Sequence, residues 1–407
     1  MANVSSSNGL EKYPKLRFPE FDEPYRKCRI GDIYAERSQR GASDMELLSV
    51  TMNDGVMPRS EIEGKDNSSE DKSNYKVVCK GDMVYNSMRM WQGASGASSY
   101  DGIVSPAYTV LMPKEEIDNR YFAALFKTSN LINEFRKNSQ GLTSDTWNLK
   151  YPQISPIKIY IPSLREQRKL SAFIGILEER ILKQRQLVNT LKKYKRGVFE
   201  AVFSRKLPLV PKARQSDWAA FKLRDFATRI TRKNNGATDI PLTISAQYGL
   251  IDQRDFFSKV VASTDMSEYY LLRQGEYAYN RSTSNDYPFG SIKRLELYNE
   301  GTVSPLYLCF AIKEKVVLSD FAKWYFESSQ WHRGINEICA EGARNHGLLN
   351  VPIDGFFNTV HILPCDIEEQ ARIAAFLSQI HDKLTQAQEE LEKLNSMRNG
   401  LMQQLFI

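Results

Sequence analysis

A chain of 407 residues with 42% hydrophobic and 11% aromatic side chains holds enough apolar material for more than one core, which excludes a disordered chain. No apolar run approaches the roughly 20 residues of a membrane span, and MANVSSSNGLEKYPK lacks the basic-then-apolar pattern of a secretory signal, so a soluble cytoplasmic protein with no membrane partner is expected. The net charge of +6 leans toward nucleic acid, while Cys28, Cys79, Cys309, Cys339 and Cys365, scattered and free of any Cys-x-x-Cys pair, speak against a disulfide framework or a metal site.

In chain order, KVVCKGDMVYNSMR predicts a turn at Lys80-Gly81-Asp82 feeding a short strand, with Tyr85 as a core aromatic, and GIVSPAYTVLM predicts a second buried strand. Tyr121, Phe122, Leu125, Phe126, Ile132 and Phe135 share one apolar face and predict a helix over residues 119–135. A further strand is expected over 154–161, ended by Pro162. From Arg165 the pattern changes to a heptad: Leu170, Ile174, Leu177, Ile181, Val188, Leu191, Val198 and Val202 alternate three and four apart, with Gln184 and Lys195 in the seam.

The second half repeats the first. Tyr25, Ile30, Asp32 and Ile33 match Trp218, Leu223, Asp225 and Phe226; Gly81, Tyr85 and Asn86 match Gly275, Tyr279 and Asn280; Val104-Ser105-Pro106 matches Val303-Ser304-Pro305. The offset between partners drifts one way, from 193 to 203, as a tandem repeat with loop insertions should. LLRQGEYAYNR, GTVSPLYLCFAI, a helix over 319–329 and FFNTVHIL follow in the same order, and the chain closes on a second heptad, Ile373, Leu377, Ile380, Leu384, Leu391, Leu394, Leu401 and Leu405. Ala387 and Arg398 fall where Gln184 and Lys195 stood. One helix is basic and the other carries Asp382, Glu389, Glu390 and Glu392, so the two are expected to pair antiparallel within the molecule, related by a pseudo-twofold axis. The fold expected is α+β: two α/β domains over 1–160 and 207–362, with long coiled-coil helices over 161–206 and 363–407.

Polar loops lie at corresponding places in both halves, and they differ in composition inside the shared frame. The first half offers Asn86, Arg89, Trp91, Gln92, Thr143, Ser144, Trp147 and Asn148; the second offers Asn280, Arg281, Ser282, Thr283, Asn285, Arg344 and Asn345. Arg, Asn, Gln, Ser and Thr are the side chains that read base edges, and cations near them hold phosphates. A matched scaffold with mismatched loops is what two different DNA targets require. No phosphate-cradling Gly-x-x-x-x-Gly-Lys loop is present, and His332, His346, His361 and His381 lack metal-ligand spacing, so no catalytic, cofactor or metal site is expected.

YPKLRFPEF, the repeated Gly-x-x-x-Tyr-Asn frame, and above all IPSLREQRKLSAFIGILEERI returning as LPCDIEEQARIAAFLSQIHDKL resemble the specificity subunit of type I restriction-modification enzymes. The resemblance implies two target recognition domains, each binding one half of a split duplex DNA site, with the helices setting the spacer. It also implies two docked methyltransferase subunits and two restriction/translocase subunits beyond them, with S-adenosylmethionine, ATP and Mg bound in those partners. Cys365-Asp366-Ile367 is one residue longer than Ser163-Leu164, so the second helix is expected to start differently. The alternatives from other classes are a coiled-coil scaffold without DNA and a stand-alone DNA-binding regulator.

Overall fold

A computed structural model describes the chain except residues 1, 4–11, 41–43, 53–54, 63, 65, 67, 210–215, 246–247, 257–264, 285–286 and 340–346. It divides into two compact units. One is formed by residues 1–186 with 389–407, the other by 187–388.

The first unit is built on a four-stranded antiparallel sheet in the order Tyr34–Glu36, Tyr108–Pro113, Met83–Asn86, Ser95–Ala97. Met83, Val84 and Tyr85 are fully buried, because both faces of the central strand are covered. Gly81 supplies the left-handed turn before it, at φ +95°, and the Asp82 carboxylate accepts from Cys79 N at 2.8 Å to close that turn. A ribbon of Arg26–Arg29 with Lys158–Ile161 leads out to the long helix. The second unit repeats every part: the sheet Ala227–Ile230, Leu308–Ile312, Tyr277–Asn280, Ser291–Arg294, the turn glycine Gly275 at φ +87°, and the ribbon Trp218–Lys222 with Val360–Pro364. Asp32 and Asp225, matched in the sequence, do the same work. Each accepts the backbone N–H three residues back, from Arg29 and from Lys222, both at 2.7 Å.

Elements expected from the sequence to be single are broken in the structure, and GTVSPLYLCFAI divides into Glu300–Val303 and Leu308–Ile312 as its first-half counterpart does. GIVSPAYTVLM forms two strands in different sheets, Gly102–Val104 and Tyr108–Pro113, because Pro106 has no N–H to continue a ladder and the chain turns there, with Tyr108 N donating to Ser105 O at 2.9 Å. The helix over 119–135 is Asn119–Leu125 followed by Ser129–Asn138, since Thr128 stops one and caps the next through Leu131 N. In the same way the strand over 154–161 shortens to Lys158–Ile161 behind a helical turn, Tyr151–Ile154.

The heptads fold as the helices Leu164–Phe203 and Ile367–Leu405. Within the first unit they run antiparallel: Leu170 and Ile174 share a core with Leu405 and Phe406, while Leu177 and Ile181 cluster with Leu394. Arg180 pairs with Glu390 at 3.1 Å and Glu178 with Arg398 at 3.7 Å; both pairs are open to solvent, Arg398 being half-buried, and contribute little. The second unit is completed by the other ends of the same helices, with Val198, Phe199, Val202 and Phe203 packed beside Ile373, Leu377 and Ile380. Each domain thus rests on both helices. Phe406 meets Tyr121 at 5.3 Å in the first unit, and its repeat partner Phe203 meets Phe321 at 5.8 Å in the second.

The repeated Glu-Gln pair bolts each helix to its domain. Gln167 accepts Asp118 N at 3.1 Å and donates to Pro162 O at 3.0 Å, so one amide ties the end of the strand to the start of the domain helix. Gln370 does the same with Leu318 N at 2.8 Å and Pro364 O at 2.9 Å, so the extra residue at Cys365-Asp366 is absorbed before the bolt. Glu166, 1% exposed, takes a bidentate pair from Arg17 at 2.9 and 2.7 Å and a bond from Tyr25 Oη at 3.4 Å. Glu369 instead accepts Ser216 N and Trp218 Nε1, at 2.8 and 3.2 Å.

Candidate nucleic-acid interface

In the first unit the candidate residues come from two loops that are hydrogen-bonded to each other. Asn86 ends its strand and turns the chain by accepting Met88 N on Oδ1 at 3.0 Å, an Asx turn. A single helical turn, Met90–Gln92, follows and is closed by Gly93 at φ +86°. Arg89 and Gln92 are left exposed on it, and Trp91 is half-buried with its Nε1 on Met88 O at 3.1 Å. The second loop is pinched at its base, where Gln140 and Asn148 exchange both backbone hydrogen bonds at 3.0 and 2.8 Å. Leu149 N then donates to Ser87 O at 2.8 Å and joins the two loops.

Trp147 packs edge-on against Trp91 with ring centroids 5.2 Å apart, so the aromatic members of the two loops form one block. At the tip of the second loop Thr143 N donates to Thr146 Oγ1 at 3.1 Å, which leaves Thr143 and Ser144 exposed on a closed turn. Asn148 Oδ1 is buried without a partner among the described residues. Nothing in the local pattern singles out Leu142, which is fully exposed at that tip. Its one signal is Gly141, at φ +148°, whose Cβ would strike the Thr146 carbonyl.

The second unit reproduces the frame with other side chains. Asn280 accepts Ser282 N at 3.0 Å, the same Asx turn as Asn86, so both asparagines spend one acceptor on shaping the loop and keep the amide NH₂ for other use. Arg281 is half-buried, and its guanidinium donates to Leu306 O through Nε and Nη2 at 3.2 and 3.0 Å. Leu349 N donates to Arg281 O at 3.0 Å, the counterpart of the Leu149–Ser87 link, and Thr283 N donates to Gly347 O at 2.7 Å. Ser282 is exposed. Asn285, Arg344 and Asn345 lie outside the described residues. In each unit, then, the described candidates gather at one end of the central strand, on loops fixed by backbone bonds and carrying donors, a cation or aromatic faces. That set can contact phosphates and base edges.

Buried polar groups elsewhere serve the fold. His361 is 3% exposed between Tyr325 Oη at 3.0 Å and Thr359 Oγ1 at 2.9 Å, and burial pushes its pKa down to about 4. Among the described residues no cluster of His, Cys, Asp or Glu is arranged to hold a metal, and no helix is long and apolar enough to cross a membrane.

Residues 25–193 match the family model of the type I restriction modification DNA specificity domain. Over 97% of its length the chain is similar to the type I restriction-modification S subunit from M. genitalium, at 13% identity and a TM-score of 0.59, with 99% of that chain covered. It is also similar, at 15% identity and a TM-score of 0.55, to a chain solved for the complex assembly and conformational transition of the type I R-M system, over 94% of this chain and 97% of that one. The likeness is one of fold.

Proposed function

We propose, for a chain whose first repeat is a type I restriction-modification DNA specificity domain, that it is the DNA-reading subunit of such a complex. Residues 1–160 and 207–362 act as two recognition domains, each reading one half of a bipartite duplex target, and the long helices set the spacer and dock two methyltransferase subunits. Two restriction/translocase subunits join beyond them. The chain itself is non-catalytic, and S-adenosylmethionine, ATP and Mg bind in the partners. What carries this reading is the loop frame built twice with different side chains: Asn86 and Asn280 make the same Asx turn, after which Arg89 and Trp91 stand in one unit and Arg281 and Ser282 in the other. Equal frames with unequal contents suit two unequal half-sites. Methylome sequencing of cells with and without the chain tests it. The expected result is one bipartite methylated motif lost with the chain; an unchanged methylome refutes the reading.

A further inference from the structure

One place in the common frame is filled in the second unit and hollow in the first. In the second unit Trp324 fills it, 2% exposed, with its ring 5.9 Å from Phe199 and 5.0 Å from His381. Its Nε1 donates to Ser378 Oγ at 2.9 Å, and the ammonium groups of Lys195 and Lys323 lie 5.5 and 4.4 Å from the indole centroid. The repeat offset of 200 that pairs Phe126 with Phe326 puts Ala124 opposite Trp324, and the helix offset of 203 puts Met402, Glu178, Gly175 and Arg398 opposite Phe199, His381, Ser378 and Lys195. Every large group of the plug is replaced by a smaller or more flexible one except Lys195, which keeps a cation as Arg398; Lys323 falls opposite Ala123.

Among the described residues the first unit is open at that place. Ala124, Glu178, Ile181, Leu182, Arg398 and Met402 line a cleft of about 1140 Å³. That exceeds the roughly 300–1,000 Å³ of a small-ligand site and suits a stretch of polypeptide. Leu182 is 47% exposed on its wall, and Arg398 stands where Lys195 lies over the indole. Tyr13 and Phe406 stand on the walls of the cleft, and residues 1–12, MANVSSSNGLEK, contain no aromatic side chain.

The geometry points to this cleft as the seat of an aromatic side chain presented by a docking methyltransferase subunit, with Arg398 over the ring as Lys195 is over Trp324. The inference rests on the proposed function for the identity of the partner. Because the second unit already holds an indole of its own, the first unit alone offers this seat among the described residues, and the two methyltransferase subunits are held unequally.

The test is titration of the full chain with the methyltransferase subunit, followed by native mass spectrometry. The wild type is expected to take up two subunits in two steps of different affinity. The double variant Ala124→Trp, Met402→Phe, which copies the second unit, is expected to weaken the tighter step at least tenfold, as loss of an aromatic anchor does, and to leave the weaker one unchanged. Arg398→Ala, a change at a partly exposed side chain that keeps the cleft open, should weaken the same step by a few fold. Two unchanged steps in both variants overturn the cleft and leave the proposed function standing. A wild-type chain that takes up no methyltransferase subunit overturns the proposed function beneath it. A wild-type homodimer abolished by the double variant makes a second copy of this chain the occupant and overturns the assignment of partner.

Discussion

Removing the Arg17 guanidinium while leaving Glu166 in place should destabilise the first unit severely. Arg17 and Glu166 are 3% and 1% exposed, and the guanidinium meets the carboxylate through two bonds of 2.9 and 2.7 Å. Breaking such a buried pair strands a charge and costs about 3–5 kcal/mol, whereas replacing both partners by apolar groups of similar volume is close to neutral. Arg17 Nη1 lacks a partner among the described residues, so the lower end, about 3 kcal/mol, is expected for Arg17→Met. Glu166→Leu added to it should recover most of the loss. Since the chain has two units and one unfolding transition is not assured, the assay is urea-dependent hydrogen exchange read on peptides covering Met83–Asn86 for the first unit and Tyr277–Asn280 for the second. The second set should not move. A single variant that costs under about 1 kcal/mol, or a double variant as unstable as the single, refutes the argument that the pair matters through the cost of an uncompensated buried charge.

Gly275 and Gly290 both have positive φ, +87° and +75°, yet their alanine variants should differ. Gly275 has open space around it, so Gly275→Ala costs about 1 kcal/mol from backbone conformation alone. At Gly290 a Cβ would overlap the Asn280 carbonyl oxygen, so Gly290→Ala should cost more and disturb the 280–290 loop; equal melting temperatures for the two variants would show the loop to be slack. His361 binds its proton only at about pH 4 in the folded chain against an ordinary 6.5, so the unfolded chain takes up more protons between these values and stability falls as pH drops from 6.5 to 4, by on the order of 3 kcal/mol. Urea titrations of wild type and His361→Gln at pH 7 and pH 5 check this, and a wild-type loss no greater than the variant's refutes it. Arg281→Ala should relax one base choice at a cost of about 1–3 kcal/mol if the guanidinium leaves Leu306 O for a base edge, whereas a phosphate contact would weaken all sequences alike. Competition binding with randomised duplexes distinguishes the two.

The heptads and the tandem repeat were legible because burial imposes a period that survives divergence: Leu170, Ile174, Leu377 and Ile373 must all point inward whatever surrounds them. Gly81 and Gly275 were legible for a similar reason, since few residues accept their backbone conformation. The work of Glu166-Gln167 was not, although the pair stood out as repeated. Its partners, Arg17 and Asp118, lie far away in sequence, and no local pattern encodes a contact across that distance. The breaks at Ser105-Pro106 and Thr128 were written in the residues, but the continuous apolar runs on both sides outweighed them. The loops showed their composition and position. That Asn86 and Asn280 shape turns, and that Arg281 is held by Leu306 O, depends on backbone geometry that composition leaves open.

The way each domain rests on both helices fixes an order of events during synthesis. The second unit, residues 187–388, is continuous in the chain and can close its core as soon as it clears the ribosome. The first unit cannot, because Leu405 and Phe406 belong to its core. At roughly 5–20 residues per second, the domain made first waits on the order of 10–40 s for its last pieces, with its seat for Phe406 open beside Tyr121. Of the two units, the one that starts to emerge first is the one that finishes last.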